Sequence, residues 1–367
     1  MTHRPISRRD AIRAGAGLTA VALGPARAAA ANAPTPEQQA GRRVIFSYSG
    51  SAVPQPLLDQ IRAGTVGGVI FFADNVTGLD QIASEIRRLE AAARRAGPAQ
   101  APLLLMTDQE GGRIRRLPGG PVMSQKEIGA ASDPLASAGR AGETAGRLLA
   151  GVGMNVNLAP VLDVHRVEGD FADRLGRSYS TDPAVCGRLG AAFVTAQQQA
   201  GVAATVKHFP GLGAAGAGEN TDLRPVTLDV SRADLQRVDQ PPYATAITAG
   251  VELVMPSWAV YPALDRARPA GLSPVVLREL RDRFGFRGVT VSDAINAGAL
   301  TAFGTYAQRA VTAAQAGIDL ILVCSQRVAD GQAVVAGLAG ALRNGRLDRG
   351  DFDAAGARVA ALRRALG

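Results

Sequence analysis

Histidine is scarce in this chain of 367 residues, and its scarcity excludes whole classes of site. Three histidines are present, and because one of them is His3, the body of the chain has His165 and His208. Two histidines cannot build a histidine-rich zinc site, and no HExxH motif occurs. The sequence therefore predicts neither a metal centre nor any other cofactor.

Cysteine is equally scarce, since Cys186 and Cys324 are the two that the sequence contains. Cys324 ends the apolar run IDLILVC, where a thiol behaves as a small buried hydrophobic group. We expect two free thiols, with a disulfide between them as the alternative for an exported protein.

Two common catalytic signatures are absent or incomplete. No GxSxG motif is present, and His208, the one plausible base, follows Lys207 rather than belonging to a nucleophile elbow, which argues against a serine hydrolase. Positions 211–216 satisfy GxGxxG, but a dinucleotide fingerprint must also open a helix. Here more glycine follows, then Asn220, Pro225 and a β-branched run, so nucleotide binding is rejected.

The first 33 residues do not belong to the predicted fold. The tetrapeptide SRRD at 7–10 precedes a mildly apolar run at 11–24, and small-x-small sites follow at 26–28 and 31–33. This order is typical of a twin-arginine signal peptide, the alternative being a disordered arginine-rich terminus. The apolar run is shorter than the ~20 residues of a membrane span. We expect export to the periplasm or the exterior without stable membrane insertion.

The positive charge of the chain gives little support to nucleic-acid binding. The formal net charge is +8, and the first 33 residues carry half of it, because five arginines there face one acid. The other arginines are scattered among acids along helical stretches rather than gathered in a stripe.

Short apolar runs alternate with longer alanine- and arginine-rich segments. The runs predict eight strands, at 44–48, 68–72, 103–107, 155–158, 202–206, 253–255, 289–292 and 318–323. The segments between and after them predict helices at 79–95, 138–151, 184–200, 232–249, 274–283, 305–316 and 329–343. Continuous apolar strands separated by helices indicate a parallel sheet covered on both faces. We predict an α/β fold, one (β/α)8 TIM-type barrel domain at 34–367, with a doubly wound open sheet as the alternative.

In a barrel the active site lies where strands end and βα loops begin. The most informative stretch is 202–222, in which an apolar run leads into KHFP and then a glycine-rich loop. Polar residues follow other predicted strands in the same way, namely Asp74, Asn75, Asp108, Gln109, Glu110, Asp163, Ser257, Trp258 and Asp293. Any one of them could instead cap a helix. Carboxylates and cations together in a sugar-sized cleft suit glycosyl transfer.

Six segments form an ordered set of motifs. They are DQEGGRIRRL (108–117), NLAPVLDV (157–164), GRSYSTDP (176–183), KHFPG (207–211), LSPVVLRELRDRFGFRGVTVSDA (272–294) and AGIDLILVC (316–324). Together they resemble glycoside hydrolase family 3, and within it the single-barrel β-N-acetylglucosaminidases of the NagZ type. The resemblance covers nearly the whole chain after the predicted signal.

The resemblance implies roles for residues within these motifs. Asp293, in VTVSDA, matches the catalytic nucleophile, which forms a covalent glycosyl-enzyme intermediate. Sugar-binding positions are matched by Asp108, Arg116, Arg177, Lys207 and His208. Because a cation beside a carboxylate lowers the carboxylate's pKa, Lys207 would help to keep the nucleophile ionised.

The loop after the fifth strand departs from the family pattern. Relatives of this type carry KHFPGHG and then an Asp-Ser-His triplet whose histidine is the general acid/base. Here Leu212 replaces the second histidine of the first motif, and the loop GENTDLRP contains none. Alignment places Asp222 at the position of the missing histidine, after a two-residue insertion. We expect Asp222 to act as the acid/base if its pKa is raised, with Glu219 in reserve; the alternative is that both are solvated turn residues.

A second departure concerns size. Larger family members carry a further α/β domain, whereas here the eighth strand is followed by a helix and a helical tail at 352–366, which favours the single-domain branch. We therefore predict a monomeric, retaining enzyme that removes terminal β-linked N-acetylglucosamine from cell-wall- or chitin-derived oligosaccharides. The alternatives are another β-glycosidase or a glycoside phosphorylase of the family, and a non-catalytic sugar-binding barrel.

Overall fold

The computed structural model describes residues 33–96 and 101–367. The predicted signal peptide at 1–33 lies outside the described residues except for its last position. Residues from Thr35 to Gly367 form one compact unit. No helix within the described ranges is both long and apolar enough to cross a membrane.

A closed barrel of eight parallel strands forms the centre of this unit. The strands are β1 (Val44–Phe46), β2 (Gly68–Ile70), β3 (Leu104–Thr107), β4 (Val156–Asn157), β5 (Ala203–Phe209), β6 (Leu253–Pro256), β7 (Val289–Ala294) and β8 (Leu320–Leu322). Each strand pairs with its neighbours in chain order, and β1 closes the ring against β8, with Val44 opposite Ile321. The predicted (β/α)8 barrel is confirmed, and the open sheet is excluded because the ring closes.

Helix α1 precedes the first strand, and the other helices separate or follow the strands along the chain. They are α1 (Pro36–Gly41), α2 (Gln55–Arg62), α3 (Leu79–Arg94), α4 (Gln125–Gly129), α5 (Pro134–Val152), α6 (Phe171–Arg174), α7 (Pro183–Gln199), α8 (Arg232–Asp234), α9 (Pro241–Thr248), α10 (Pro274–Arg278), α11 (Tyr306–Ala316), α12 (Val328–Arg343) and α13 (Arg349–Ala365). Side-chain caps set where several begin: Asp182 accepts hydrogen bonds from the first amides of α7, and Thr305 forms a capping box at α11.

The strands are buried on both faces, which is why they are continuous apolar runs. One face contributes to a cluster inside the barrel, to which every strand adds a side chain, such as Ile45 from β1 and Leu322 from β8. Val359 and Leu362 of α13 join this cluster. The opposite face packs beneath the surrounding helices, with Phe46 and Ile321 among its residues. The packed interior fixes the directions in which the strand ends point.

The closure between β1 and β8 is reinforced by a buried arginine. Arg43, 2% exposed, donates from Nε to the carbonyl of Asp319 (2.9 Å) and from Nη2 to that of Ile318 (2.7 Å). Burial lowers the pKa of Arg43 to about 10. The carboxylate of Asp319 is itself fully buried and receives Arg281 from the β7 side and Arg358 from α13. These contacts lie at the end of the barrel where the strands begin.

Several short elements were not predicted. They are α1 before β1, α2 between β1 and β2, and, in the loops after later strands, α4, α6 and two hairpins, Gln109–Gly111 with Ile114–Arg115 and Val260–Tyr261 with Asp265–Pro269. The predicted helix 232–249 is interrupted by a π-helical turn at Leu235–Asp239, and the predicted helix 274–283 ends in one at Glu279–Arg283. Strand β5 runs three residues beyond its predicted end and includes Lys207 and His208. Elements of two to eight residues show too little periodicity to be detected from sequence.

Candidate active site

The ends of the strands surround a cavity of about 260 Å³. Seven of the eight predicted site residues line it: Asp108, Arg116, Arg177, Lys207, His208, Asp222 and Asp293. A larger cavity of about 620 Å³ opens beside Pro102, Asn155 and Leu366. It lies at the opposite end of the barrel, where βα loops do not reach, and therefore does not suit catalysis.

The loop after β3 is organised around the buried side chain of Gln109. Its Oε1 accepts the backbone amides of Arg116 (2.9 Å) and Leu117 (3.1 Å), and its Nε2 donates to the carbonyls of Leu117 and Gly120. One side chain thereby satisfies four backbone groups that no strand or helix would pair. The loop is held so that Asp108 and Arg116 both line the cavity.

A buried ion-pair network occupies one wall of the cavity. Lys207 Nζ lies 2.7 Å from Asp108 Oδ1 and 2.8 Å from Glu110 Oε1. Arg177 donates to both oxygens of Glu110, each at 2.8 Å. Glu110 and Lys207 are each 2% exposed, so these charges are desolvated as well as paired. Arg116 approaches Asp108 less closely, at 3.7 Å between Nη2 and Oδ2.

The network holds its members in their charged forms. Burial alone raises the pKa of Glu110, but Arg177 and Lys207 outweigh it and hold this pKa well below its usual value. Burial lowers the pKa of Lys207, yet Asp108 and Glu110 more than compensate and raise it. The wall therefore presents a fixed ammonium and fixed carboxylates, which are groups that hydrogen-bond sugar hydroxyls.

Asp163 fixes the imidazole of His208. Its Oδ2 lies 2.7 Å from His208 Nδ1, and its Oδ1 accepts the backbone amides of His208 (3.2 Å) and Leu212 (2.7 Å). Because an ionised carboxylate can accept but not donate, Nδ1 carries a proton and Nε2 is the nitrogen left for a ligand. Asp163 therefore acts as an orienting group and does not cap a helix.

Asp293 stands at the end of β7 and is half-buried. Its Oδ1 accepts the amide of Ala294 (2.7 Å), and the buried indole of Trp258 donates to the carbonyl of Ala294 (3.0 Å). Ser292 Oγ donates to the carbonyl of Asp293 and accepts the amide of Leu322 from β8. The strand end that carries the carboxylate is therefore tied to both of its neighbouring strands.

Asp222 reaches the mouth of the cavity from the loop after β5, and its side chain stays in contact with solvent. The loop passes very close to the segment after β4, since a Cβ on Gly213 would lie 2.0 Å from the carbonyl oxygen of Val164. Desolvation by the surrounding wall, and then repulsion from the Asp293 carboxylate, raises the pKa of Asp222. Asp222 is thus the cavity carboxyl group that is biased toward holding a proton.

The reserve candidate, Glu219, does not line the cavity. Its Oε2 accepts the backbone amide of Gly216 at 2.7 Å, which closes a turn within the loop. The structure therefore brings Asp222 to Asp293 and leaves Glu219 outside the cavity wall.

Two residues at the site were noted in the sequence as polar strand ends but were not assigned a role. Glu110 bridges Lys207 and Arg177, and Asp163 orients His208. Their positions within DQEGG and NLAPVLDV were the available signal, but which cation each would contact depends on the folded loops.

No cluster of three or more histidine, cysteine, aspartate or glutamate side chains capable of holding a metal ion occurs within 33–96 and 101–367.

Both cysteines are free thiols, so the disulfide alternative is wrong. Cys186 is fully buried, whereas Cys324 is half-buried, packs against the apolar cluster inside the barrel and also lines the cavity.

Comparison with known proteins agrees with this geometry. The family model described as glycosyl hydrolase family 3 N terminal domain matches residues 51–362. An uncharacterized secreted glycosyl hydrolase of Arthroderma benhamiae is 44% identical over 332 residues, covering 89% of this chain and 93% of that protein. A beta-hexosaminidase of Tolumonas auensis is 35% identical over 275 residues, covering 73% of this chain and 78% of that protein.

Among solved structures, a glycoside hydrolase family 3 beta-N-acetylglucosaminidase from Paenibacillus sp. str. FPU-7 superposes with a TM-score of 0.85 at 34% identity. The match covers 91% of this chain and 63% of the Paenibacillus chain, so the Paenibacillus chain has a substantial part with no counterpart here.

Proposed function

This chain belongs to glycosyl hydrolase family 3, and from that premise we propose that it is a retaining β-N-acetylglucosaminidase using Asp293 as nucleophile and Asp222 as general acid/base. It is a glycoside hydrolase, as its hexosaminidase relatives indicate. The observation that carries the proposal is that Asp293 and Asp222 line the same cavity and that the pKa of Asp222 is raised by its surroundings. Retaining glycosidases require this division between an ionised nucleophile and a proton-bearing acid.

In the first step an oxygen of Asp293 attacks the anomeric carbon of the bound sugar. The bond from that carbon to the glycosidic oxygen breaks, and the departing oxygen takes the bonding electron pair together with the proton of Asp222. The products are a glycosyl ester on Asp293, an ionised Asp222 and the free aglycone alcohol.

In the second step Asp222, now a carboxylate, accepts a proton from a water molecule as that water attacks the anomeric carbon. The ester bond to Asp293 breaks, and its electron pair returns to the carboxylate. Two inversions at the anomeric carbon give net retention, and both groups return to their initial protonation states.

Residues of the ion-pair wall bind the sugar. Lys207, Asp108 and His208 present a cation, a carboxylate and one free imidazole nitrogen to the cavity. At about 260 Å³ the cavity suits a single terminal sugar ring, which supports removal of one unit at a time. The preference for N-acetylglucosamine rests on the hexosaminidase and beta-N-acetylglucosaminidase relatives. Cell-wall- or chitin-derived oligosaccharides are the corresponding substrates.

Export is also proposed. The order of charged, apolar and small residues in the first 33 positions supports a twin-arginine signal peptide, and the Arthroderma benhamiae relative is described as secreted. We expect the mature enzyme to act in the periplasm or outside the cell as a monomer.

The test compares two aryl β-N-acetylglucosaminides, one with the activated 2,4-dinitrophenyl leaving group and one with phenyl, on the wild type and Asp222→Ala. We expect Asp222→Ala to lose about 10²- to 10⁴-fold in kcat/KM on the phenyl substrate and little on the dinitrophenyl substrate, which needs almost no protonation. Azide should restore turnover of the dinitrophenyl substrate by Asp222→Ala, and the product should be the β-glycosyl azide.

Equal losses on both substrates would contradict the assignment of Asp222. Wild-type turnover that requires phosphate would identify a phosphorylase instead. Binding of N-acetylglucosamine without turnover of either substrate would identify a sugar-binding barrel.

A further inference from the structure

Asp222 is held in place by its backbone. The carbonyl of Asp222 accepts the amide of Gly298 at 2.7 Å, and the carbonyl of Thr221 accepts the amide of Ala299 at 3.0 Å. Gly298 and Ala299 open the 3-10 helix Gly298–Phe303, which follows β7. The loop with the proposed acid is therefore bound directly to the segment that follows the proposed nucleophile, Asp293.

The contact requires a glycine. A Cβ on Gly298 would lie 2.2 Å from the carbonyl oxygen of Leu223 and 2.4 Å from its carbonyl carbon. Side-chain Cβ atoms essentially never come within 3.0 Å of other heavy atoms, and here the atoms met are backbone, which cannot rotate away. Any larger residue at 298 must displace the segment 221–224 from the β7 loop.

The side chain of Asp222 has no comparable support. Within the described ranges its carboxylate accepts no hydrogen bond, and it is the backbone amide of Asp222 that donates to Asn220 Oδ1 at 2.9 Å. Leu223, next in the chain, is 76% exposed and adds no packing. The loop has its own turn, in which the carbonyl of Asn220 accepts the amides of Leu223 and Arg224, and the hydrogen bonds to 298 and 299 tie that turn to the segment after β7.

We propose that Gly298 is a positioning residue for the general acid: its amide and its missing side chain set the place of Asp222 opposite Asp293. The inference rests on the proposed function of Asp222. Gly298 does not line the cavity, so its effect must pass through the loop. Displacing a catalytic group by about 1 Å can cost about 10²-fold in rate, and this loss should fall on proton transfer alone.

The experiment measures kcat/KM of Gly298→Ala on the phenyl and 2,4-dinitrophenyl β-N-acetylglucosaminides. We expect a loss of about 10- to 100-fold on phenyl and less than about 3-fold on dinitrophenyl, because nucleophilic attack by Asp293 does not need the displaced loop. Gly139→Ala is the matched control, since Gly139 lies in α5 and an added Cβ there meets nothing within 4 Å. It should leave both rates unchanged.

A double-mutant cycle separates positioning from general damage. If Gly298 acts through Asp222, Gly298→Ala should cost less than about 2-fold on the phenyl substrate once Asp222→Ala is present. Equal losses on both substrates, or full additivity in the cycle, would overturn the inference and show a merely structural role.

The same data distinguish this inference from the proposed function. If Asp222→Ala keeps wild-type rates on the phenyl substrate, the acid assignment fails and the inference fails with it. If Asp222→Ala shows the leaving-group effect and Gly298→Ala does not, the acid assignment stands and the inference alone is wrong.

Discussion

The two sides of the cavity are held in place by different means. On the side of β3 and β5, Glu110 and Lys207 are each 2% exposed, and ion pairs of 2.7 to 2.8 Å join them to each other, to Asp108 and to the half-buried Arg177. On the other side, Asp222 stays in contact with solvent and depends on backbone hydrogen bonds to the loop after β7. The wall that we propose to bind the sugar is held through its side chains, whereas the proposed acid is held through its backbone alone.

The difference follows from what each side must do. Groups that grip a sugar keep one charge throughout, and desolvated ion pairs fix charges well. A general acid must lose and regain a proton in every cycle, so a strong cation partner would lower its pKa and prevent proton donation. Leaving the carboxyl group without an ion pair and fixing its backbone satisfies both requirements.

The largest effect is expected at Asp293, between the two sides. Asp293→Ala should lower kcat by about 10⁴-fold or more on both aryl substrates, because the loss of the nucleophile is independent of the leaving group. Azide should restore partial turnover and give the α-glycosyl azide, the opposite anomer to that formed by Asp222→Ala. Identification of the azide product by NMR checks the assignment, and a β-azide from Asp293→Ala would contradict it.

The next effect tests the rigidity of the ion-pair wall. Glu110→Gln should lower the free energy of unfolding by about 3 kcal/mol, because it removes the carboxylate that pairs with Arg177 and leaves the buried Lys207 with Asp108 alone. Denaturant unfolding at constant pH measures the change. The matched control is Glu37→Gln, which breaks the exposed pair of Glu37 with Arg343 and should cost less than about 1 kcal/mol. Equal losses in both variants would show that the wall is no more important to stability than the surface.

The smallest effect concerns pH. Because the pKa of Asp222 is raised, the acid is protonated below that pKa and loses its proton as pH rises through it. We expect kcat/KM on the phenyl substrate to fall up to tenfold per pH unit above this pKa, while kcat/KM on the dinitrophenyl substrate stays nearly flat. Initial rates measured across the pH range give kcat/KM for both substrates. The falling limb should vanish in Asp222→Ala, and its persistence there would assign it to another group.

The barrel was predictable from sequence because its strands are buried on both faces. Runs such as the one from Val289 and the one from Leu103 contain no alternation, and only a covered parallel sheet requires that pattern. Long helices were equally visible through their periodicity. The short βα elements were not, since Gln109–Gly111 and α6 are held by contacts such as those of the Gln109 amide rather than by any local pattern.

At the site, sequence identified which residues face the cavity but not how they support one another. Asp108 and Lys207 were placed at strand ends, and both line the cavity. Glu110 and Asp163 have no distinguishing local pattern, because their importance comes from partners 67 and 45 positions away. The close approach of Gly298 to Leu223 is likewise a property of two loops that meet only in the folded chain.

The closure of the ring by Arg43 has a consequence for how the chain is made. Arg43 binds the carbonyl of Ile318, 275 positions later, so β1 has no partner on one edge until the ribosome has produced nearly the entire barrel. Contacts of such long sequence separation form slowly, and an unpaired strand edge invites association with other chains. The nascent protein must therefore keep one edge of β1 unpaired for most of its synthesis, and interruption of translation before β8 would release a sheet with two open edges.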